Sequence, residues 1–215
     1  MRVVTLANSG KIYTSQVYLV LGDANRLEDL NTLVDVGQDP AILASIAATP
    51  TGVGKWPVEQ VVLTHSHYDH SALLPQVRAA FHPRVMAFSP HVDGVDSLLR
   101  DGDSIRMGDA VFEVIHTPGH SSDSICLYNE AQGILFAGDT PLVILSPEGS
   151  YEAEYRAALD KLCDRDIRQI YFGHGLPLTE RCNQRLRESQ RLVAASALAD
   201  GSQERTKNQT PMVAN

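Results

Sequence analysis

The residues able to do chemistry are concentrated in one short segment, Thr64-His65-Ser66-His67-Tyr68-Asp69-His70. Imidazole nitrogens and carboxylate oxygens are the donors that hydrolytic zinc prefers, and such a centre keeps one position open for water. In an extended segment the side chains alternate, so His65 and His67 point the same way and can grip one ion together. Asp69 and His70 follow where the chain is expected to turn into a helix, a change of direction that aims them at a second ion. A lone histidine on a strand is usually a core or surface residue; this density of donors reverses that expectation.

Three later donors share a context. His120 follows Thr117-Pro118-Gly119, Asp139 follows Ala137-Gly138, and His174 lies between Gly173 and Gly175. Each comes just after a β-rich apolar run, at 111–115, 134–137 and 167–172. Glycine beside a ligand permits unusual backbone angles and close approach, and ligands of α/β folds gather at the carboxyl ends of strands. His82, His91 and His116 fall outside this pattern and are expected to be surface or structural histidines. Tyr68 is expected to pack against or orient its neighbours. Ser121 and Ser122 read equally as hydrogen-bond donors behind His120 or as plain turn residues. Tyr151 and Tyr155 are expected in the core.

The elements that must position these donors are legible as periodic runs. Strands are expected at Val3 to Leu6, Val17 to Leu21, Thr32 to Val34, Val61 to Thr64, 84–88, 111–115, Ser124 to Tyr128, Ile134 to Ala137 and Ile167 to Phe172. Helices are expected over 40–48, from about Ser71 with Leu73, Leu74, Val77 and Ala80 on one face, from Tyr151 to Leu162, and over 181–199. The last carries Cys182, Leu186, Ser189 and Val193 on one stripe, suited to packing beside the site mouth as a lid or a dimer contact. Residues 49–57 read as a loop, and an acidic, glycine-containing stretch, Asp93 to Asp109, separates the strands at 84–88 and 111–115. Strands with helices interspersed, and no evident linker, indicate one α/β domain over 1–199, with 200–215 a polar, disordered tail.

Length and composition suit this reading, with 215 residues, 43% hydrophobic content and a formal net charge of −8. That charge argues against a nucleic-acid partner gripped through its phosphates. Cys126, Cys163 and Cys182 form no C-x-x-C pair and read as buried free thiols of a reducing compartment. There is no apolar run of signal-peptide character at the start and none of membrane-spanning length. A cytoplasmic protein acting on a small molecule, with no membrane partner, is the expectation.

Taken in order, His65-x-His67-x-Asp69-His70, Gly119-His120, Gly138-Asp139 and Gly173-His174-Gly175 resemble the full ligand set of the metallo-β-lactamase superfamily. Asp35-Val36-Gly37 matches another recurring feature of it, and the similarity runs from about residue 3 to 176. The resemblance implies a four-layer αββα sandwich with metals at one edge between two sheets. It implies that His65, His67 and His120 hold one ion, that Asp69, His70 and His174 hold a second, and that Asp139 bridges both. Two divalent ions are implied, zinc by default, with iron or manganese used by some relatives.

Two such ions can hold a bridging hydroxide that attacks a substrate carbonyl, with Asp69 the best candidate to shuttle a proton. Within the superfamily, His at position 67 contrasts with the Glu of flavodiiron relatives and favours hydrolysis. Thr140-Pro141-Leu142 lacks the Tyr that acyl-homoserine lactonases carry three residues past the bridging Asp. The short segment after His174 contrasts with the helical domain of glyoxalase II, and the acidic chain with the RNA-gripping modules of nucleases. His70-Ser71-Ala72-Leu73-Leu74-Pro75 and Gly119-His120-Ser121-Ser122-Asp123-Ser124-Ile125 look most like the thioesterase branch involved in quinolone signalling. A small thioester or ester substrate is therefore expected, with lactone hydrolysis, an iron-dependent persulfide dioxygenase and a ligand-binding regulator as the alternatives.

Overall fold

A computed structural model describes residues 1–147 and 149–207. The first half of the chain builds one sheet, ordered β1 (Arg2–Thr5), β2 (Tyr18–Leu21), β3 (Thr32–Val34), β4 (Gln60–Val62), β5 (Arg84–Ala87) and β6 (Ser97–Leu98). The first three strands pair antiparallel, and β3 to β6 pair parallel. The second half builds the other, ordered β11 (Gln169–Phe172), β10 (Ile134–Gly138), β9 (Ile125–Asn129), β8 (Ala110–His116) and β7 (Ser104–Met107). Here β7 to β10 are antiparallel and β11 joins β10 in parallel.

Period-two alternation sorts the side chains into layers. Tyr18, Val20, Val34 and Val62 face Phe112, Val114, Leu127 and Phe136 in a core between the two sheets. Their alternates Leu19, Leu21, Leu33 and Val61 pack outward against Ile42 and Ile46 of α1 (Ala41–Ala48) and Leu74 and Val77 of α3 (Leu74–Phe81). On the far side, Ile115, Cys126, Leu135 and Ile170 pack against Tyr155, Leu159 and Leu162 of α4 (Ala153–Cys163) and Leu186 and Val193 of α5 (Cys182–Lys207). The order helix, sheet, sheet, helix is the αββα sandwich expected from the sequence.

Three local features differ from or add to the expected elements. The helix expected from about Ser71 is broken into α2 (Tyr68–Ser71) and α3. Pro75 sits in the first turn of α3 and has no N–H to continue a ladder from Ser71. The acidic stretch Asp93 to Asp109, to which the sequence assigns no element, contains β6 and β7, both at sheet edges. The final helix continues past 199 to Lys207, and 208–215 of the expected tail lies outside the described residues. No helix among the described residues is long and apolar enough to cross a membrane.

Candidate metal centre

Every predicted donor arrives at the same edge of the sandwich. His65 and His67 lie just beyond β4, and His67 caps the N-terminus of α2, whose single turn carries Asp69 and His70 inward. From the other half, His120 comes from the loop after β8, Asp139 directly follows β10, and His174 lies just past β11. Their donor atoms fall into three groups, each within 4.8 Å: His65 with His67 and His120, His65 with His70 and Asp139, and Asp69 with His70 and His174. Each group draws two residues from the first half of the chain and one from the second.

The sequence folds this way locally because close approach is built in. A Cβ on Gly173 would lie 2.1 Å from Asp139 Oδ1 and 2.5 Å from His70 Cε1. Gly138, at φ 51°, packs its α-carbon where a side chain would meet Thr64 Oγ1 at 2.5 Å. Behind the donors, Asp35 is buried and has φ 59°. Its carboxylate accepts from the Thr64 backbone N–H at 2.7 Å, from Thr64 Oγ1 at 2.9 Å and from His70 Nδ1 at 2.8 Å. His65 Nδ1 in turn lies 3.1 Å from Thr64 Oγ1. Both histidines thus use Nδ1 outward and present Nε2 to the centre, the way an outer carboxylate fixes a metal-binding imidazole.

The donor set fits a cation. Nε2 of His65 is buried and makes no hydrogen bond, a costly state that a bound ion would relieve, and the buried Nε2 of His70 faces Asp139 Oδ1 at 3.3 Å and Asp69 Oδ2 at 3.8 Å. Burial drives His65 toward the neutral form and lowers its pKa to about 4. Burial acts the same way on His70, yet the carboxylates of Asp35 and Asp139 overcome it and raise that pKa to about 10. Burial would lift Asp139, but its contact with His70 and the neighbouring imidazoles hold it down at about 2. Carboxylates that favour positive charge at the buried His70 imidazole would equally favour a divalent ion beside it. His67 Nδ1 and His120 Nε2 face each other at 2.9 Å, and His174 Nε2 lies 3.0 Å from Asp69 Oδ2.

The remaining predictions separate cleanly. His82, His91 and His116 join none of the three groups. His116 instead stacks on Phe88 with centroids 4.1 Å apart and reaches the Ser122 carbonyl at 2.9 Å, tethering the loop that bears His120. Ser121 Oγ bonds Asp123 Oδ1 at 2.6 Å, so it builds the turn. Tyr155 is buried, as expected, and its hydroxyl donates to the Pro141 carbonyl. Tyr68, expected to pack or orient, is 74% exposed. Sequence reasoning misses Tyr13, whose ring stacks on His174 at a centroid distance of 4.9 Å. It also misses the role of Ser189, whose Oγ donates to the Leu142 carbonyl at 2.9 Å and accepts from the Ile144 N–H at 2.8 Å. That pair pins the segment after Asp139 to α5.

Beside His120, Asp139 and His174 lies an open cleft of about 400 Å³, walled by Pro141, Leu142, Val143 and Phe172. No lysine or arginine is among its lining residues.

Comparison with known proteins identifies the family of the chain. The model of the metallo-beta-lactamase superfamily matches residues 13–93 and 85–174, and the chain belongs to that superfamily. It is 32% identical over 152 residues to a hydroxyacylglutathione hydrolase of Methylobacterium sp. (strain 4-46), covering 68% of this chain and 58% of that protein. It is 26% identical over 176 residues to an atrochrysone carboxyl ACP thioesterase of Cryptosporiopsis sp. (strain 8999), covering 80% of this chain and 53% of that one. The chain therefore spans little more than half the length of these curated relatives. Among solved structures, a metallo-beta-lactamase family protein from Thermus thermophilus superposes with a TM-score of 0.66 at 21% identity. That match covers 92% of this chain and 80% of the other, and it speaks to the fold.

Proposed function

We propose that the protein is a metal-dependent hydrolase of small thioesters or esters whose acyl part is uncharged and apolar. The observation that carries this reading is the convergence of His65, His67, Asp69, His70, His120, Asp139 and His174 into three overlapping donor groups. His65, His67 and His120 would hold one divalent ion, Asp69, His70 and His174 a second, and Asp139 would serve both, with zinc the metal best matched to this donor set. Bound there, the ions would lower the pKa of water toward neutrality and polarise a carbonyl.

The chain's own residues would do the rest. Asp35, through His70 and Thr64, keeps two imidazoles in the tautomer that offers Nε2. Asp69 would take the proton of the attacking water at its carboxylate and return it to the departing thiolate or alkoxide. The Pro141–Val143 segment and Phe172 would seat the acyl group against an apolar wall that a charged group would leave poorly solvated. One relative's name specifies a hydrolase of an acylated thiol and the other a thioesterase, which is in keeping with that bond class. The uncharged wall favours an acyl group over a carboxylate-bearing carrier in this cleft.

Metal quantitation on the purified full chain, coupled to assays on thioester, ester and lactone panels, tests the reading. Two zinc equivalents with thioester turnover are expected, and Val143→Asp should raise KM most for the more apolar acyl groups. One iron per chain with oxygen consumption on a persulfide would overturn it in favour of an oxygenase.

A further inference from the structure

The loop joining β1 to β2 is stitched to the metal centre by its backbone. The Ser15 N–H donates to the Asp69 carbonyl at 3.1 Å, and the Gln16 N–H donates to the Gly173 carbonyl at 2.6 Å. Gln38 holds the same stretch from another side, its backbone N–H donating to Thr14 Oγ1 at 2.9 Å and its Nε2 donating to the Tyr13 carbonyl. The residue these contacts deliver is Tyr13. Its ring lies over His174 at an interplanar angle of 18°, and its hydroxyl is 3.3 Å from His174 Nε2. Yet 72% of its surface faces solvent. An aromatic residue this exposed is not there to fill a core, and its backbone is held too firmly to be an idle loop tip.

The geometry points to Tyr13 as a catalytic residue whose phenolic hydroxyl donates a hydrogen bond to the substrate oxygen that gains charge. Among the described residues, His174 Nε2 is the only partner of that hydroxyl. Nε2 is also the atom His174 offers to its donor group with Asp69 and His70. Once Nε2 is committed to a cation it has no lone pair left to accept with. The hydroxyl then has no protein acceptor at that spot and is free for a ligand oxygen. A donor already positioned where negative charge develops is the arrangement that stabilises an oxyanion.

The step rests on the hydrolytic reading above. A water oxygen adds to the carbonyl carbon as its proton passes to Asp69, and the C=O π pair moves onto the carbonyl oxygen. Tyr13 hydrogen-bonds that oxygen and keeps its own proton. Reformation of the C=O bond expels the thiolate, which recovers the proton from Asp69, giving one acid and one thiol.

Two variants of the full chain, Tyr13→Phe and Tyr13→Ala, separate the hydroxyl from the ring. Each is loaded with zinc and followed by metal content, by kcat and KM on a thioester, and by calorimetric affinity for an alkylphosphonate, a tetrahedral anion that needs no turnover. Tyr13→Phe should keep its zinc and its KM within about twofold while kcat falls about 10- to 100-fold. That is less than the roughly 10²–10³ known for shielded oxyanion donors, because water can reach an exposed phenol. Phosphonate affinity should weaken by a similar factor. The assignment is overturned if Tyr13→Phe matches the wild type in both readouts, including the case in which only Tyr13→Ala is defective, since the ring alone would then matter. It is also overturned if the wild type does not bind the phosphonate. If the wild type binds phosphonate but turns over no substrate on the panel, the hydrolytic reading fails by itself, and the phosphonate affinities still decide the role of Tyr13.

Discussion

Asp35 accepts a hydrogen bond from His70 Nδ1 at 2.8 Å, and the same carboxylate also receives both donors of Thr64. Through Thr64 Oγ1 it reaches His65 as well. One buried carboxylate thus orients two imidazoles that share one donor group and each join a further one. Asp35→Asn tests this directly, because Asn tolerates the left-handed backbone at φ 59° while replacing one acceptor oxygen by a donor. Zinc affinity, measured by competition with a chelating dye, should drop about 10- to 100-fold. Unchanged affinity would show that the histidines are oriented by something else.

Gly173→Ala tests the close approach. The added methyl would fall 2.1 Å from Asp139 Oδ1, so that carboxylate must leave its place. The variant should fold, with far-UV circular dichroism unaltered, and should hold less than the wild-type complement of metal. Gly175→Ala is its control, since no atom lies within 4 Å of a Cβ there; any defect in that variant reports backbone strain at φ 89° and not collision.

Ser189→Ala removes the clamp between α5 and the cleft wall. The Ile144 N–H and the Leu142 carbonyl lose their partner together, and stability should fall by about 1–3 kcal/mol, read as a lower urea midpoint. If the wall seats the acyl group, KM should rise more than kcat falls. A variant with an unchanged midpoint would mean that water replaces the hydroxyl without loss.

All three cysteines are free thiols, with Cys126 and Cys182 buried and Cys163 partly so. Burial raises the pKa of each, to about 11 for Cys126 and for Cys163. Since the thiolate is the reactive species, Ellman's reagent should react slowly with the native protein and fully after denaturation. A thiol that reacts natively at the rate of free cysteine would contradict this burial.

The donors are legible in the sequence because their chemistry is local and dense: the segment from His65 to His70 announces itself, and a glycine marks each later ligand. The strands that deliver them are legible for a related reason, since Thr32-Leu33-Val34 and Ile134 to Ala137 are apolar runs bounded by turns. Tyr13 is not, because its partner His174 lies 161 positions away and nothing in Lys11-Ile12-Tyr13-Thr14 distinguishes a site residue from a loop residue. Strand β7 alternates exposed and buried residues as a half-buried strand should, but four residues in a charged stretch are too few for periodicity to stand out. Tyr68 misleads because its neighbours in sequence are ligands, whereas the first turn of α2 rotates it away from them to solvent. Ser189 is visible only as a member of an apolar stripe; its bonds to a loop are a tertiary fact.

The two-plus-one division of every donor group has a consequence for assembly. A chain cut between β6 and β7 would give two fragments, each holding part of every group and neither holding any group whole. Added metal would then favour the docked pair over the separated pieces, because only the pair binds it fully. Ion uptake by such fragments would serve as a complementation signal, reporting that the two sheets have met in register.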